Sequence, residues 1–229
     1  MRSVTILARR PRPGTVKSRL SPALPPNEAC RLYRGMLLDA ITAARESSAD
    51  RRVVHWADPP GDGSEDTPGL AESLGAGLGS ALQRGNDLGD RLAAAFEDLL
   101  QAPEDRAVAI GADCPELDGV TVDAGLAALE RHDLVLAPAA DGGYALVGLA
   151  RPAPELFRGV AWGGAAVLEQ TRARADRLGL RVALLPTLRD LDTPVDLVGW
   201  IARTLADTDR RGAQTAMALA ELGLLPQPA

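Results

Sequence analysis

Five cations crowd a short stretch near the start of this chain. Arg9, Arg10, Arg12, Lys17 and Arg19 all fall within RRPRPGTVKSRLSP (9–22), which holds no acidic residue. Pro13 and Gly14 sit at its centre, and a glycine there lets the backbone turn tightly and approach a ligand. Farther along, aspartates recur beside turn residues: Asp113 in GADCPELD, Asp141 in APAADGGY, Asp190 and Asp192 in LRDLDTP. Cations at this density suit a polyanion, because each charge-assisted hydrogen bond contributes roughly 1.5–3 kcal/mol. The carboxylates suit a hard divalent metal. Mg²⁺ keeps several waters and takes one or two carboxylates plus substrate phosphates. The combination points to a metal-bound polyphosphate. Asp113 and Asp192 are the candidate ligands for Mg²⁺ (or Mn²⁺), and Lys17 and Arg19 are the candidates for the remaining phosphate oxygens. Positive charge at that place also stabilises charge that develops in phosphoryl transfer.

These residues need elements that bring them together, and the apolar pattern supplies them. SVTILA is a compact β-branched run and reads as a first strand, directly followed by the basic loop. Asn27 offers a helix cap before EACRLYRGMLLDAITAARES, whose Leu32, Met36, Leu37 and Ile41 recur at helical spacing. RRVVHWA reads as a second strand and DPPGDGSEDTPG as an exposed loop. The remaining runs alternate: helix GDRLAAAFEDLLQ, a third strand RAVAIGAD ending at Asp113, helix VTVDAGLAALER, a fourth strand DLVLAPA, a fifth YALVGLA, helix AAVLEQTRARADRLG, a sixth strand LRVALLP and helix TPVDLVGWIARTLA. Residues 209–229 read as a terminal helix and tail. Strand–helix alternation specifies βαβ units in a mostly parallel sheet. Ligands in such folds bind beyond the carboxyl ends of the strands, where the cationic loop and the acidic loops all fall. No internal repeat or long linker divides the 229 residues, so one domain over 1–229 is expected.

Composition limits the partners. The formal net charge of −6 argues against nucleic acid or an anionic membrane surface. No apolar run of membrane-spanning length occurs, and the first residues are too briefly apolar for a secretory signal. Two distant cysteines make neither a disulfide framework nor a zinc set. A cytoplasmic protein acting on small molecules is expected.

Each motif also has an ordinary reading. A basic run is commonly a solvated face, Asp-Gly favours a hairpin turn, and DLDTP suits a helix start with Asp192 or Thr193 as cap and Pro194 in the first turn. QRGNDLGDRL offers backbone amides around Gly85, Asp87 and Gly89, next to Gln83, for a nucleotide base or phosphate; a loop and cap would look the same. Trp162 beside Gly163 could stack on a ligand or be buried. What favours function is the convergence of the motifs on one sheet edge.

Taken in order, RRPRPGTVKSRLSP, QRGNDLGDRL, IGADCPELD, LAPAADGGYALVGL, LFRGVAWGGAAVLEQT and LRDLDTPVDL resemble a bacterial glycosyltransferase-A-like family, also called radical-SAM/selenodomain-associated transferases. The resemblance runs from about Val4 to Trp200. It extends to nucleotide-diphospho-sugar transferases and to 2-phospho-L-lactate guanylyltransferases, which share the Lys-x-Arg-Leu and Asp-x-Asp-Thr-Pro elements. It implies a three-layer α/β/α fold with a mostly parallel mixed sheet and a metal-dependent, nucleotide-using transferase. It places Lys17 and Arg19 at the nucleotide phosphates and Asp113 and Asp192 at the metal; Arg9, Pro13 and Gly14 of the same loop are candidate nucleotide-binding residues beside them. Asp141, Gly142 and Gly143 match the family's substrate-side loop, and Tyr144, Trp162 and Gly163 are further candidates for substrate binding. The chain departs from the family at Arg9, Ser18, Asn86 and Gly164, and the last removes a hydroxyl that could contact an acceptor.

Three activities follow as expectations. The first is nucleotidylyl transfer from a nucleoside triphosphate to a small phosphorylated or phosphonylated acceptor, with Lys17 and Arg19 stabilising the transferring charge. The second is glycosyl transfer from a nucleotide sugar to a small acceptor, with Asp141 as base. The third is nucleotide binding without turnover.

Overall fold

The computed structural model describes residues 1–58, 75, 77–206 and 211–227. Of the loop expected over 58–69, residues 59–69 lie outside these. The elements are β1 (Arg2–Ala8), α1 (Pro26–Glu46), β2 (Arg51–Trp56), β3 (Gly79–Leu82), α2 (Leu88–Leu99), β4 (Arg106–Gly111), α3 (Gly119–Ala128), β5 (Leu134–Pro138), β6 (Tyr144–Leu149), α4 (Val167–Arg177), β7 (Val182–Leu184), α5 (Pro194–Ala206) and α6 (Ala213–Glu221). The strands form one seven-stranded sheet in the order β3-β2-β1-β4-β6-β5-β7. Every pairing is parallel except those of β6, which runs antiparallel to both β4 and β5.

Alternation along the strands builds two cores. Val4, Ile6, Val108, Ile110, Val135 and Leu146 face α1 and α3. Val53, Ala107, Ala109, Leu134, Leu136 and Val147 face the other way, onto Leu92, Phe96 and Leu99 of α2, Ala175 of α4 and Phe157. The sheet is therefore covered on both faces, as near-continuous apolar strands require. A third cluster joins Leu32 and Met36 of α1 to Leu197 and Trp200 of α5, Leu219 of α6 and Leu20 and Leu191 from the loops. Through it, α1 is sandwiched between the sheet and the last two helices.

Three sequence expectations change in detail. The first helix starts at Pro26, with the Pro25 carbonyl accepting from Glu28 and Ala29, so Asn27 is inside the first turn and is not the cap. Proline suits that position because its φ is already helical and no donor is needed there. Strand β3 was not expected: Gly79, Ser80, Ala81 and Leu82 have no apolar alternation, and only backbone pairing to β2 defines them. The strand leading to Asp113 stops at Gly111.

Two buried polar contacts hold the frame. Asp39 of α1, 8% exposed, accepts from the amides of Gln214 and Thr215 and from the Thr215 hydroxyl at 2.9, 2.9 and 2.6 Å. It thus caps α6 across 175 residues of sequence. Between β1 and β2, the Thr5 hydroxyl and His55 Nδ1 are 2.6 Å apart, and both residues are buried. Burial holds the His55 pKa below its ordinary 6.5, an effect that Asp98 opposes and Arg51 and Arg84 reinforce.

Asp39→Ala should lower unfolding free energy by about 2–3 kcal/mol in urea, because three donors lose an ionised acceptor. For His55 the sign follows from its depressed folded-state pKa. The unfolded chain takes up a proton near pH 6.5 that the folded chain resists, so stability should fall as pH drops below that value. In His55→Gln that part of the slope should vanish from the same pH series.

Candidate active site

The chain leaves β1 at Ala8 and is caught at once by α1. The Tyr33 hydroxyl accepts from the Arg9 amide at 3.0 Å and donates to the Arg9 carbonyl at 3.1 Å. From there the loop folds on itself, with the Thr15 amide and hydroxyl both donating to the Arg12 carbonyl at 3.1 and 2.9 Å. Gly14 takes φ +80° in this turn, and a side chain there would meet nothing within 4 Å. Arg10 points away, its guanidinium 4.8 Å over the Trp56 ring. The loop ends at Lys17, whose φ of 51° makes it the only described non-glycine residue in the left-handed region. A 3-10 turn at Ser18–Leu20 follows.

Opposite this loop, two acidic turns meet. Asp113 lies two residues past β4. Gly111 leaves room for its carboxylate, since a Cβ there would come within 2.6 Å of Asp113 Oδ1. The Leu191 amide donates to the Asp113 carbonyl at 3.0 Å, which fastens Asp192 next to it. Asp192 is held from its other side by α5: Asp196 Oδ2 accepts from the amides of Asp192 and Thr193 and from the Thr193 hydroxyl. Glu116 pins the same loop through Arg189 at 3.6 Å and the following α5 through Arg203 at 3.4 Å.

The loops converge on one ammonium. Lys17 Nζ donates to Asp192 Oδ1 and stands 3.9 Å from Asp113 Oδ2. Arg19 Nη1 stands 3.8 Å from Asp192 Oδ2. The Lys17 side chain is 5% exposed, against 44% for Asp113, 32% for Asp192 and 66% for Arg19. Although 44% of its side chain stays open to solvent, partial desolvation in the cleft raises the Asp113 pKa; Lys17 opposes this, and Asp192 and Asp141 add to it. Asp190 is raised to about 7 by burial and by Asp141, Asp113 and Asp192. These carboxylates repel one another and gain from any cation among them. Among the described residues no three His, Cys, Asp or Glu side chains form a metal cluster by themselves.

Lys17, Arg19, Asp113 and Asp192 line a cleft of about 660 Å³ over the carboxyl ends of β1 and β4. Arg9, Gln83 and Tyr144 also line it. Gln83 is committed to the scaffold, its Nε2 donating to the carbonyls of Ala8 and His55 at 3.2 and 2.7 Å. Sequence reasoning missed Arg91 and Tyr33, which line the same cleft. Arg91 stood within the quoted QRGNDLGDRL, but only its place in the first turn of α2, facing the cleft, distinguishes it.

Other expected site residues lie elsewhere. Pro13 and Gly14 shape the loop without lining the cleft. Gly85, Asp87 and Gly89 line a separate groove of about 550 Å³ beside α2; Asp87 caps that helix by accepting from the Asp90 amide at 2.8 Å. Asp141 closes the β5–β6 hairpin by accepting from the Gly143 amide at 2.8 Å. Gly142, at φ +93°, packs so tightly on Ala165 that a Cβ would fall 2.0 Å from its carbonyl oxygen. Trp162 meets Tyr144 edge-on at 6.4 Å and Phe157 at 6.4 Å, which sets it in an aromatic cluster behind the cleft, with Gly163 on the turn that follows.

Residues 39–164 match a family described as "Uncharacterized protein conserved in bacteria (DUF2064)". That segment includes Asp113 and Asp141 but neither the basic loop nor Asp192. The chain is 36% identical over 194 residues to a 3-phospho-D-glycerate guanylyltransferase from Phenylobacterium zucineum, spanning 80% of this chain and 82% of that one. It is 30% identical to a phosphoenolpyruvate guanylyltransferase from Sphaerobacter thermophilus, over 80% and 85% of the two chains. A crystal structure from Desulfovibrio desulfuricans, described as a nucleotide-diphospho-sugar transferase, superposes with a TM-score of 0.82 at 30% identity, covering 97% and 96%. The fold is the three-layer α/β/α type of the nucleotide-diphospho-sugar transferases, as the sequence resemblance implies.

Tyr33→Phe removes both side-chain contacts to Arg9. The Arg9 amide should lose at least tenfold of its hydrogen-exchange protection, while global stability falls by only about 1–2 kcal/mol.

Proposed function

We propose that this chain, which belongs to the DUF2064 family conserved in bacteria, is a nucleotidyltransferase that moves a nucleotidyl group from a nucleoside triphosphate to a small phosphorylated acceptor. The carrying observation is the meeting of Lys17 and Arg19 with Asp113 and Asp192 in one cleft at the carboxyl edge of the sheet. The names of the relatives support the reaction class and favour guanosine triphosphate as donor, with a phosphorylated carboxylate as acceptor.

In this reading an acceptor phosphate oxygen attacks the α-phosphorus. The bond from that phosphorus to the oxygen bridging to the β-phosphate breaks, and pyrophosphate leaves with the electron pair. The acceptor is already an anion, so no side chain has to remove its proton. Arg19 and Arg91, which both line the cleft, would meet the polyphosphate, and Lys17 would follow the charge that builds on the leaving group. The donor set fits a divalent cation: two hard carboxylates flank a position already held by positive charge, and phosphate oxygens would complete the coordination. Asp113 and Asp192 would hold Mg²⁺, which when bound neutralises the triphosphate. Ala109 and Ile110, both buried, also line the cleft.

Glycosyl transfer from a nucleotide sugar is a second reading, favoured by the description of the Desulfovibrio structure. One assay separates the two. Protein, Mg²⁺ and GTP should release pyrophosphate with a phosphorylated carboxylate such as 3-phosphoglycerate or phosphoenolpyruvate, and Asp113→Asn and Asp192→Asn should each lower kcat at least 100-fold. Nucleoside diphosphate released from a sugar nucleotide, without pyrophosphate from any triphosphate, would overturn the proposal.

A further inference from the structure

All but one of the 25 Lys and Arg residues in this chain are arginine; the exception is Lys17. It stands where the backbone is least comfortable for a side chain, at φ 51°, a conformation that disfavours L-residues by roughly 1–2 kcal/mol. Its ammonium is almost fully buried, bonded to Asp192 and 3.9 Å from Asp113. Such a position persists only when its surroundings hold it there, and such strain collects at ligand clamps and switches.

An arginine here would grip a carboxylate with two parallel bonds and be hard to displace. Lysine is a compact point charge on a flexible four-carbon stem, so it can leave one anion for another. The cation neutralises the two acids proposed to hold the metal, and no third His, Cys, Asp or Glu among the described residues completes a cluster with them. A divalent ion arriving alone would have to displace Lys17 and find only two protein ligands. A triphosphate changes both conditions at once: it offers the ammonium a stronger anion and offers the metal more oxygens.

We propose that Lys17 is an internal counter-cation that occupies the place between Asp113 and Asp192 in the nucleotide-free protein, excludes free divalent metal, and moves to the triphosphate on binding, so that metal and nucleotide enter together. The proposal rests on the reading that these two aspartates are the metal ligands. By linkage, the same coupling makes nucleotide binding depend on metal.

The single lysine makes the test direct. In full-length protein grown with ¹³C,¹⁵N-lysine, one side-chain signal reports residue 17. Millimolar Mg²⁺ alone should leave it in place; Mg²⁺ with GTP should shift it. Mn²⁺ titrations followed by electron paramagnetic resonance should show at least tenfold tighter binding of Mn²⁺ alone to Lys17→Gly, which accepts the left-handed backbone, and to Lys17→Met. GTP should then tighten Mn²⁺ binding by a smaller factor in both variants than in the wild type. A Lys17 signal that moves with Mg²⁺ alone, or folded variants that bind Mn²⁺ no tighter than wild type, would overturn the inference. If neither variant folds, the wild-type lysine signal decides. Adding Asp113→Asn to Lys17→Gly should abolish the tighter Mn²⁺ binding; if it persists, the metal assignment fails. A wild type that releases pyrophosphate, beside Mn²⁺ binding indifferent to residue 17, leaves the nucleotidylyl reading standing and sinks only the counter-cation.

Discussion

A buried ammonium needs an anion, and two facing carboxylates need a cation; much of this molecule satisfies both conditions at one point. Lys17 cannot be withdrawn from water without a partner, because desolvating an unpaired charge is far more unfavourable than any packing gain around it. Asp113 and Asp192 cannot sit side by side without something positive between them. Each loop is then fixed by contacts whose sense lies in holding this arrangement: Tyr33 on the Arg9 backbone, the Asp113 carbonyl on the Leu191 amide, Asp196 on the Asp192 turn and Glu116 on Arg189. The contribution of the ion pair to stability is small or even negative by the usual accounting for partly buried charges. It acts as a register mark that aligns loops arriving from β1, β4 and β7.

Sheet topology explains why this point falls where it does. The chain winds from β1 outward to β2 and β3, then returns across the sheet through α2 to β4 on the other side of β1. The connections after β1 and β4 therefore leave in opposite directions and open a crevice between neighbouring strands, the switch point at which parallel α/β sheets bind ligands. The antiparallel β6 does not disturb this edge. Its tight Asp141–Gly143 turn brings Tyr144 back into the cleft wall and leaves Asp141 near enough to act on Asp113 and Asp190 through its charge.

The parts of this architecture that were legible in the sequence are those written in local apolar pattern. β1, β2, β4 and β5 are short β-branched or apolar runs, and α1 and α2 carry apolar residues at helical spacing, so their order and the mostly parallel sheet could be read directly. β3 could not, because Gly79–Leu82 owes its strand to hydrogen bonds from β2 alone. In the site, Lys17, Arg19, Asp113 and Asp192 could be named because each follows a strand and the fold gathers strand ends. Gly85, Asp87 and Gly89 look like a phosphate loop in sequence, yet α2 turns them toward a separate groove and uses Asp87 as its cap. Arg91 and Tyr33 carry no local signal; only the angles at which α1 and α2 lie on the sheet aim them inward. The meaning of Lys17 as a lysine likewise emerges only once its two acids are seen around it.

A cationic loop in an acidic chain amounts to a division of charge over distance. The chain as a whole carries −6. Inside the cleft the balance reverses: Arg9, Lys17, Arg19 and Arg91 face Asp113 and Asp192. At physiological salt a charge is screened beyond about 8 Å, so the global negative charge acts weakly on a small anion already at the cleft mouth. The local cations act fully there, between apolar walls that concentrate their field.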